Sequence, residues 1–271
     1  MLSYKEFNQI YKEELFKVME FINDEILTEL KLHNEGWNQN KEWFKNYLSQ
    51  SSLRYYKVYK TAIENNTKTI LDVGGFWAIF PITMARLGFE VNMTEALKYY
   101  SDLYNTFFDY VKSRNVSIVD FDPFMESYQG KTYDMVTIMA VIEHYPHSLS
   151  FLFENIKNMM HTDSILCLDV PNLAYIKTRI SFLLGNSPLS PASLIYKSAV
   201  PYIGHHHEYT LNDIRELFAL SPFVLTKLIS HNYTPNRIIN FINTITNPLI
   251  LLNIFFEGTR EVIYLEARKR K

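Results

Sequence analysis

The stretch "TILDVGGFWAIFPITMARLGFEV", residues 69–91, decides the fold. It opens as a hydrophobic strand and ends in Asp72-Val73-Gly74-Gly75, where glycines let a backbone turn sharply and approach a ligand. A helical segment, "FPITMARL" (80–87), follows, with Pro81 in its first turn where the missing N–H is harmless, and Gly88 closes it before the next apolar run. Strand, glycine turn, helix, strand is the start of a nucleotide-binding β-α-β unit. Phe76 and Trp77 break the pattern, because they stand where a further glycine is expected.

The same texture continues outward. Short apolar runs at 69–73, 90–94, 116–121, 134–141 and 164–170 alternate with helical segments, which predicts a mostly parallel sheet covered on both faces. After Pro171-Asn172 the regularity lapses over 173–203, and a segment of that length in a compact enzyme reads as a lid or a substrate-binding insertion. The rhythm returns with the helix "TLNDIRELFAL" (210–220), capped by Thr210, and the strands "FVLTKLIS" (223–230) and "EVIYLEARK" (261–269). Residues 1–66 carry apolar positions at helical spacing and predict two or three helices, with a break at "LHNEGWNQN" (32–40). The expectation is therefore an α/β, Rossmann-like, doubly wound seven-stranded mostly parallel sheet. Residues 1–66 form an N-terminal helical cap, and 67–271 form the main domain with a lid over about 173–210.

Composition narrows the function. The chain has 271 residues, 47% hydrophobic and 21% charged, with a net charge of −2, so it is globular and offers no basic groove for a nucleic acid. The single cysteine, Cys167, sits in an apolar run and forms no internal disulfide, which fits a reducing cytoplasm. The charged start "MLSYKEFNQIYKEE" lacks the apolar core of a signal peptide. "PLILLNIFF" (248–256) falls short of the roughly 20 apolar residues that span a bilayer and reads as a buried helix, with peripheral membrane contact as the alternative.

In open α/β sheets, ligands bind beyond the carboxyl ends of the strands. Here strand one ends at Asp72, strand two at Glu95, strand three at Asp120 and Asp122, and strand four at Glu143 and His144. An acid after strand two can accept hydrogen bonds from both hydroxyls of a ribose, and one after strand three can accept from an exocyclic adenine amine. Glu95 fills the first place, and either Asp120 or Asp122 fills the second.

The ordered set "LDVGG", "GFEVNMTE", "VDFD", "YDMVTIMAVIEHYPH", "CLDVPN" and "GHHHEYT" over residues 68–230 resembles the class I S-adenosylmethionine-dependent methyltransferases, in their small-molecule branch. The resemblance implies S-adenosylmethionine as cofactor. Asp72, Gly74, Gly75 and Phe76 would line its methionine end, Glu95 its ribose, Asp122 in preference to Asp120 its adenine, and Ala140 and Val141 would approach it from strand four. Glu143 would lie on the substrate side. The usual turn D-x-G-x-G-x-G departs here, with Phe76 and Ala78 replacing two glycines. Either Phe76 and Trp77 pack away beneath the turn, or cofactor binding is weakened.

Histidine suits removal of a proton from a methyl acceptor, because its pKa lies near neutrality. His144, His205 and His207 are the candidate bases, and Glu143, His147, Tyr175, His206 and Glu208 the candidate acceptor contacts. Structural loop histidines are the bland alternative. A metal bound by His205, His207 and Glu208 is the other, and no metal is assigned because no second paired ligand completes the set. Tyr175, Phe182, Tyr196 and Tyr202 form either an aromatic acceptor wall or core. The reading is a cytoplasmic methyltransferase acting on a small polar acceptor, with an oxygen nucleophile such as a sugar hydroxyl. A noncatalytic fold partner that has lost the cofactor is the second reading. A nicotinamide-dependent dehydrogenase lacks its G-x-G-x-x-G, since Gly74 and Gly75 are adjacent and Gly88 is next.

Overall fold

A computed structural model describes residues 1–34, 40–187, 189–233 and 256–270. Four helices precede the first strand: α1 (Tyr4–Val18), α2 (Asp24–His33), α3 (Lys41–Gln50) and α4 (Ser52–Glu64). The first three start on side-chain caps from Ser3, Asn23 and Asn40, each satisfying a free N–H of the first turn. Two or three helices were expected, and the difference lies at Ser51. Its backbone stays helical (φ −68°, ψ −13°), so apolar periodicity runs across the α3–α4 junction without a sequence break. The residues 35–39 of the expected break, and 248–255 of the apolar "PLILLNIFF", lie outside the described residues.

The sheet contains β1 (Thr69–Val73), β2 (Glu90–Glu95), β3 (Val116–Asp120), β4 (Tyr133–Met139), β5 (Met160–Pro171), β6 (Phe223–His231) and β7 (Val262–Lys269). Their order is β3-β2-β1-β4-β5-β7-β6, with β7 antiparallel to both neighbours and the other pairs parallel. The chain reverses between β1 and β4, so the carboxyl ends of β1, β2, β3 and β4 share one rim.

Strand alternation divides the core. Ile70, Val91, Met93 and Met135 face α1, α3, α4, α5 (Ile79–Arg86) and α6 (Asn105–Ser113), whereas Leu71, Val136, Ile138 and Leu166 face α7 (Leu149–Asn158) and α10 (Leu211–Leu220). Strand four stops at Met139, two residues earlier than its apolar run predicts, because Ala140 turns left-handed at φ 57°. The aperiodic insertion holds two short helices, α8 (Ile176–Leu183) and α9 (Ala192–Lys197). They are largely exposed, so no amphipathic period is imposed on them. Phe182 and Tyr196 are 69% and 90% exposed, which removes both from the expected aromatic wall and from the core. Among the described residues, no helix is long and apolar enough to cross a membrane.

Candidate cofactor and acceptor site

The glycine turn keeps the backbone its sequence had put in question. Positions 74, 76 and 78 all adopt left-handed φ, at 71°, 43° and 52°, although only the first is glycine. Gly74 and Gly75 are needed for space as well. A Cβ on Gly74 would meet Val141 at 3.1 Å, and one on Gly75 would meet Asp72 Oδ2 at 3.0 Å. Trp77 carries the turn into the core, where it packs edge-on against Phe44 of α3 and Phe107 of α6. Phe76 instead stays at the cavity wall with its ring against Trp77. A left-handed L-residue costs about 1–2 kcal/mol. Phe76→Gly is therefore expected to be about 1 kcal/mol more stable than Phe76→Ala, since both lose the ring and only glycine relieves the backbone. Denaturant unfolding of the pair measures this difference.

A cavity of about 560 Å³ lies over the rim. Of the predicted residues, Gly74, Phe76, Glu95, Asp122, Val141, His144, His147, Tyr202 and His206 line it. Asp72 sits beneath the glycines, buried, and accepts a hydrogen bond from the Thr137 hydroxyl. Burial pushes its carboxyl up to about 7, with the Thr137 bond opposing and the Glu95 and Asp169 charges adding. Glu95 is also buried. Its Oε1 accepts from the Phe76 N–H at 2.5 Å and its Oε2 from the Tyr100 hydroxyl at 2.6 Å. Burial raises it to about 7 against both bonds.

The third-strand acids separate. Asp122 is buried in the cavity wall, accepting from the Phe124 N–H at 3.1 Å and the Tyr99 hydroxyl at 3.1 Å, with Lys98 at 3.2 Å. Asp120 is exposed and accepts from the Leu97 N–H, outside the cavity lining.

At the end of β4, a turn (Ile142–His144) brings His144 to the cavity and tucks Glu143 inward, fully buried. The Glu143 carbonyl accepts the N–H groups of His206 and His207, which pins the histidine loop to this turn. His144 meets His205 edge-on, with ring centroids 4.7 Å apart. Burial, with the neighbouring His205, pushes His144 down to about 4. His205 bonds Glu208 at 3.0 Å; burial works against its charge, but that bond and the Glu143 and Glu208 charges raise it overall. His207 turns away and packs on Tyr209, and Tyr175 stands at the start of α8; neither lines the cavity. Ala140 lies behind Val141 with its N–H bonded to the Asp169 carbonyl.

Other walls carry no motif. Tyr99, Tyr100 and Tyr104 line the wall beside Glu95 and Asp122, and Phe124 stacks on Tyr145 at 3.9 Å. Glu29, Leu30 and His33 of α2 and Pro201, Tyr202 and Ile203 of the insertion cover the top. The cover is stitched by main chain: the Ala199 N–H donates to the Leu32 carbonyl, the Ile203 N–H to the His33 carbonyl, and the His33 ring meets the Pro201 carbonyl at 3.1 Å. Tyr202 is the one member of the expected aromatic wall that lines the cavity, and the dense aromatics of "YYSDLY" (99–104) were a further signal left unread.

This strand order, with an acid at each of four successive strand ends beside a left-handed glycine turn, defines the class I S-adenosylmethionine-dependent methyltransferase fold. A family model described as a methyltransferase domain matches residues 39–228, and the chain belongs to that family. Solved structures agree in fold. Magnesium protoporphyrin IX methyltransferase from Synechocystis PCC 6803, with bound SAH, is 14% identical at a TM-score of 0.56, over 91% of this chain and 100% of that one. A S-adenosylmethionine-dependent methyltransferase from Clostridium acetobutylicum is 10% identical at 0.56, over 86% and 100%. The StiE O-methyltransferase is 12% identical at 0.50, over 83% and 77%. No curated protein sequence matches significantly.

Proposed function

We propose that this methyltransferase moves the methyl group of S-adenosylmethionine to an oxygen of a small polar acceptor, such as a sugar or glycan-precursor hydroxyl, beneath a cover made by the residue 1–66 cap and the 173–210 lid. One observation carries the reading: a single cavity holds the cofactor-type rim on one side and His144, His147 and His206 on the other. The residues present fit the cofactor. The Gly74-Gly75 turn leaves room that any Cβ would fill, Glu95 and Asp122 are buried acceptors in the wall, and 560 Å³ falls within the size range of small-molecule sites. Among the described residues the lining contains no lysine or arginine, which disfavours a phosphate-bearing polymer as acceptor.

Bound S-adenosylmethionine supplies a methyl group already activated on a sulfonium. The chain has then to align the acceptor and take charge of its proton. Glu95 would accept from the ribose hydroxyls and Asp122 from the adenine amine. Ile203 fixes the orientation of the His144 ring through Nδ1 at 2.8 Å, which leaves Nε2 to accept a hydrogen bond from the acceptor hydroxyl. His205 and Glu208 stand behind it. The test is tritiated-methyl transfer to a panel of sugars, hydroxy acids and amines. Label in an ether product is expected, and label only in amines, or none anywhere, overturns the oxygen assignment.

The noncatalytic reading draws on one feature: both Glu95 oxygens already accept bonds from within the chain. It requires that S-adenosylmethionine not bind.

Binding should also depend on pH. Asp72 and Glu95, each raised to about 7, are held partly protonated, while ribose hydroxyls and a nearby sulfonium favour their ionised forms. Association should release protons where these carboxyls still hold them, so affinity rises with pH up to about 7, by at most roughly tenfold per unit for each proton released, and levels off above it. Without cofactor the same carboxyls act on stability in the opposite sense. Their folded pKa values exceed the unfolded ones, so their contribution is complete below about pH 4 and is lost as pH rises through about 7. Titrations in buffers of different ionisation enthalpy measure the released protons.

A further inference from the structure

We infer that Glu143, His144 and His205 form a binding site for one divalent first-row transition cation, best matched by zinc, which meets the acceptor cavity at His144. One ligand-capable atom from each residue lies within 4.8 Å of the other two. The sequence offered Glu208 as the carboxylate of a histidine site, but the fold supplies Glu143 instead and leaves Glu208 behind His205.

Two independent features point to a ligand. Glu143 is fully buried, and neither of its carboxylate oxygens accepts a hydrogen bond among the described residues. A buried carboxylate without a partner is costly, and a cation at its oxygens removes that cost. The second feature is the orientation of the imidazoles. His144 Nδ1 faces the Ile203 carbonyl at 2.8 Å and His205 Nδ1 faces Glu208 Oε1 at 3.0 Å. A backbone carbonyl and a carboxylate on the far nitrogens are the outer partners that orient metal-bound histidines and leave each Nε2 lone pair available. Two imidazoles and one carboxylate match an open zinc site with a further position for water or substrate, whereas magnesium and calcium prefer all-oxygen sets.

This inference rests on the methyl-transfer reading only for its consequence. His144 lines the cavity, so an acceptor hydroxyl on the cation would lie beside the cofactor. His144 then holds the ion in place of accepting the hydroxyl's hydrogen bond; coordination acidifies the hydroxyl and its proton leaves to solvent. The oxygen lone pair then forms the C–O bond as the S–CH₃ bond breaks, giving the methyl ether, S-adenosylhomocysteine and one released proton.

The experiment is calorimetric titration of chelator-treated, dialysed protein with Zn²⁺, with S-adenosylmethionine titrated in parallel. One Zn²⁺ per chain is expected, at least about tenfold weaker in Glu143→Gln and in His205→Ala. Glu208→Gln, which changes only the group behind His205, should weaken it by about 10- to 100-fold. Cofactor affinity should stay within about twofold in all three, which also shows that the variants fold. Absent or substoichiometric Zn²⁺ binding by the wild type, or unchanged binding in Glu143→Gln and His205→Ala, overturns the site. Zn²⁺ bound at one per chain without S-adenosylmethionine binding upholds the ion site and removes the methyl-transfer reading.

Discussion

His144→Ala is expected to lower kcat by about 10²- to 10⁴-fold while leaving the Kd for S-adenosylmethionine within a few-fold of wild type. His144 is the one histidine of the edge-on pair that lines the cavity, and its ring is fixed from behind by the Ile203 carbonyl. The ring is neutral at ordinary pH, because burial and the neighbouring His205 push it down to about 4. It therefore presents a lone pair to the acceptor, whether to a hydroxyl directly or to the cation inferred above. The acids proposed to hold the ribose and adenine, Glu95 and Asp122, lie at and just past the ends of β2 and β3, away from this turn, which is why kcat and cofactor affinity should part. Single-turnover kinetics beside a cofactor titration measure both, and equal losses in the two would assign His144 a structural role instead.

Arg54→Ala should destabilise the fold by about 3–5 kcal/mol, the cost of stranding a buried charge. Arg54 of α4 is 3% exposed and reaches Asp169 Oδ2 on β5 at 2.9 Å, with Tyr233 hydrogen bonded to its guanidinium. Burial holds Asp169 up at about 6 even against the pull of Arg54. Removing the cation leaves a carboxylate that escapes its cost only by taking a proton. The sign follows: Asp169 is neutral at low pH, so the loss should be smaller near pH 5 than near pH 8. Urea unfolding of wild type and variant at both values tests this. The pair also ties the helical cap to the sheet beside the cofactor rim, so a cap that detaches should weaken cofactor binding in the same variant.

The rim was legible in the sequence because its chemistry sits at strand ends, and strand ends are set by short-range apolar runs. Glu95 and Asp122 fall where period and topology place them. The strand pattern alone left Asp120 and Asp122 open, and the family resemblance favoured Asp122: Asp120 is still in the ladder, paired with Glu95 in register, and a two-residue offset turns Asp122 into the cavity. The fate of the glycine turn was hidden for a related reason, since Phe76 and Ala78 keep a left-handed backbone that their residue types disfavour. Surrounding packing, above all Trp77 in the core, holds them there. The cover was hidden altogether. Its joints are main-chain hydrogen bonds from residues 199 and 203 to the end of α2, and carbonyl acceptors leave no side-chain signature. That the strand-four turn and the His205 loop meet was readable from a strand end and a segment after the insertion; that Glu143 and not Glu208 joins His144 and His205 was not, because it depends on how a loop some sixty residues later packs.

The central claim is that the cavity over Glu95 binds S-adenosylmethionine. Glu95→Ala removes the acceptor proposed for both ribose hydroxyls, and charge-assisted bonds contribute about 1.5–3 kcal/mol each. Calorimetric titration of the wild type should show one saturable S-adenosylmethionine site per chain, and Glu95→Ala should raise its Kd by about 100-fold or more. A wild type that takes up no cofactor, or a Glu95→Ala variant that binds as tightly as wild type, would contradict the account.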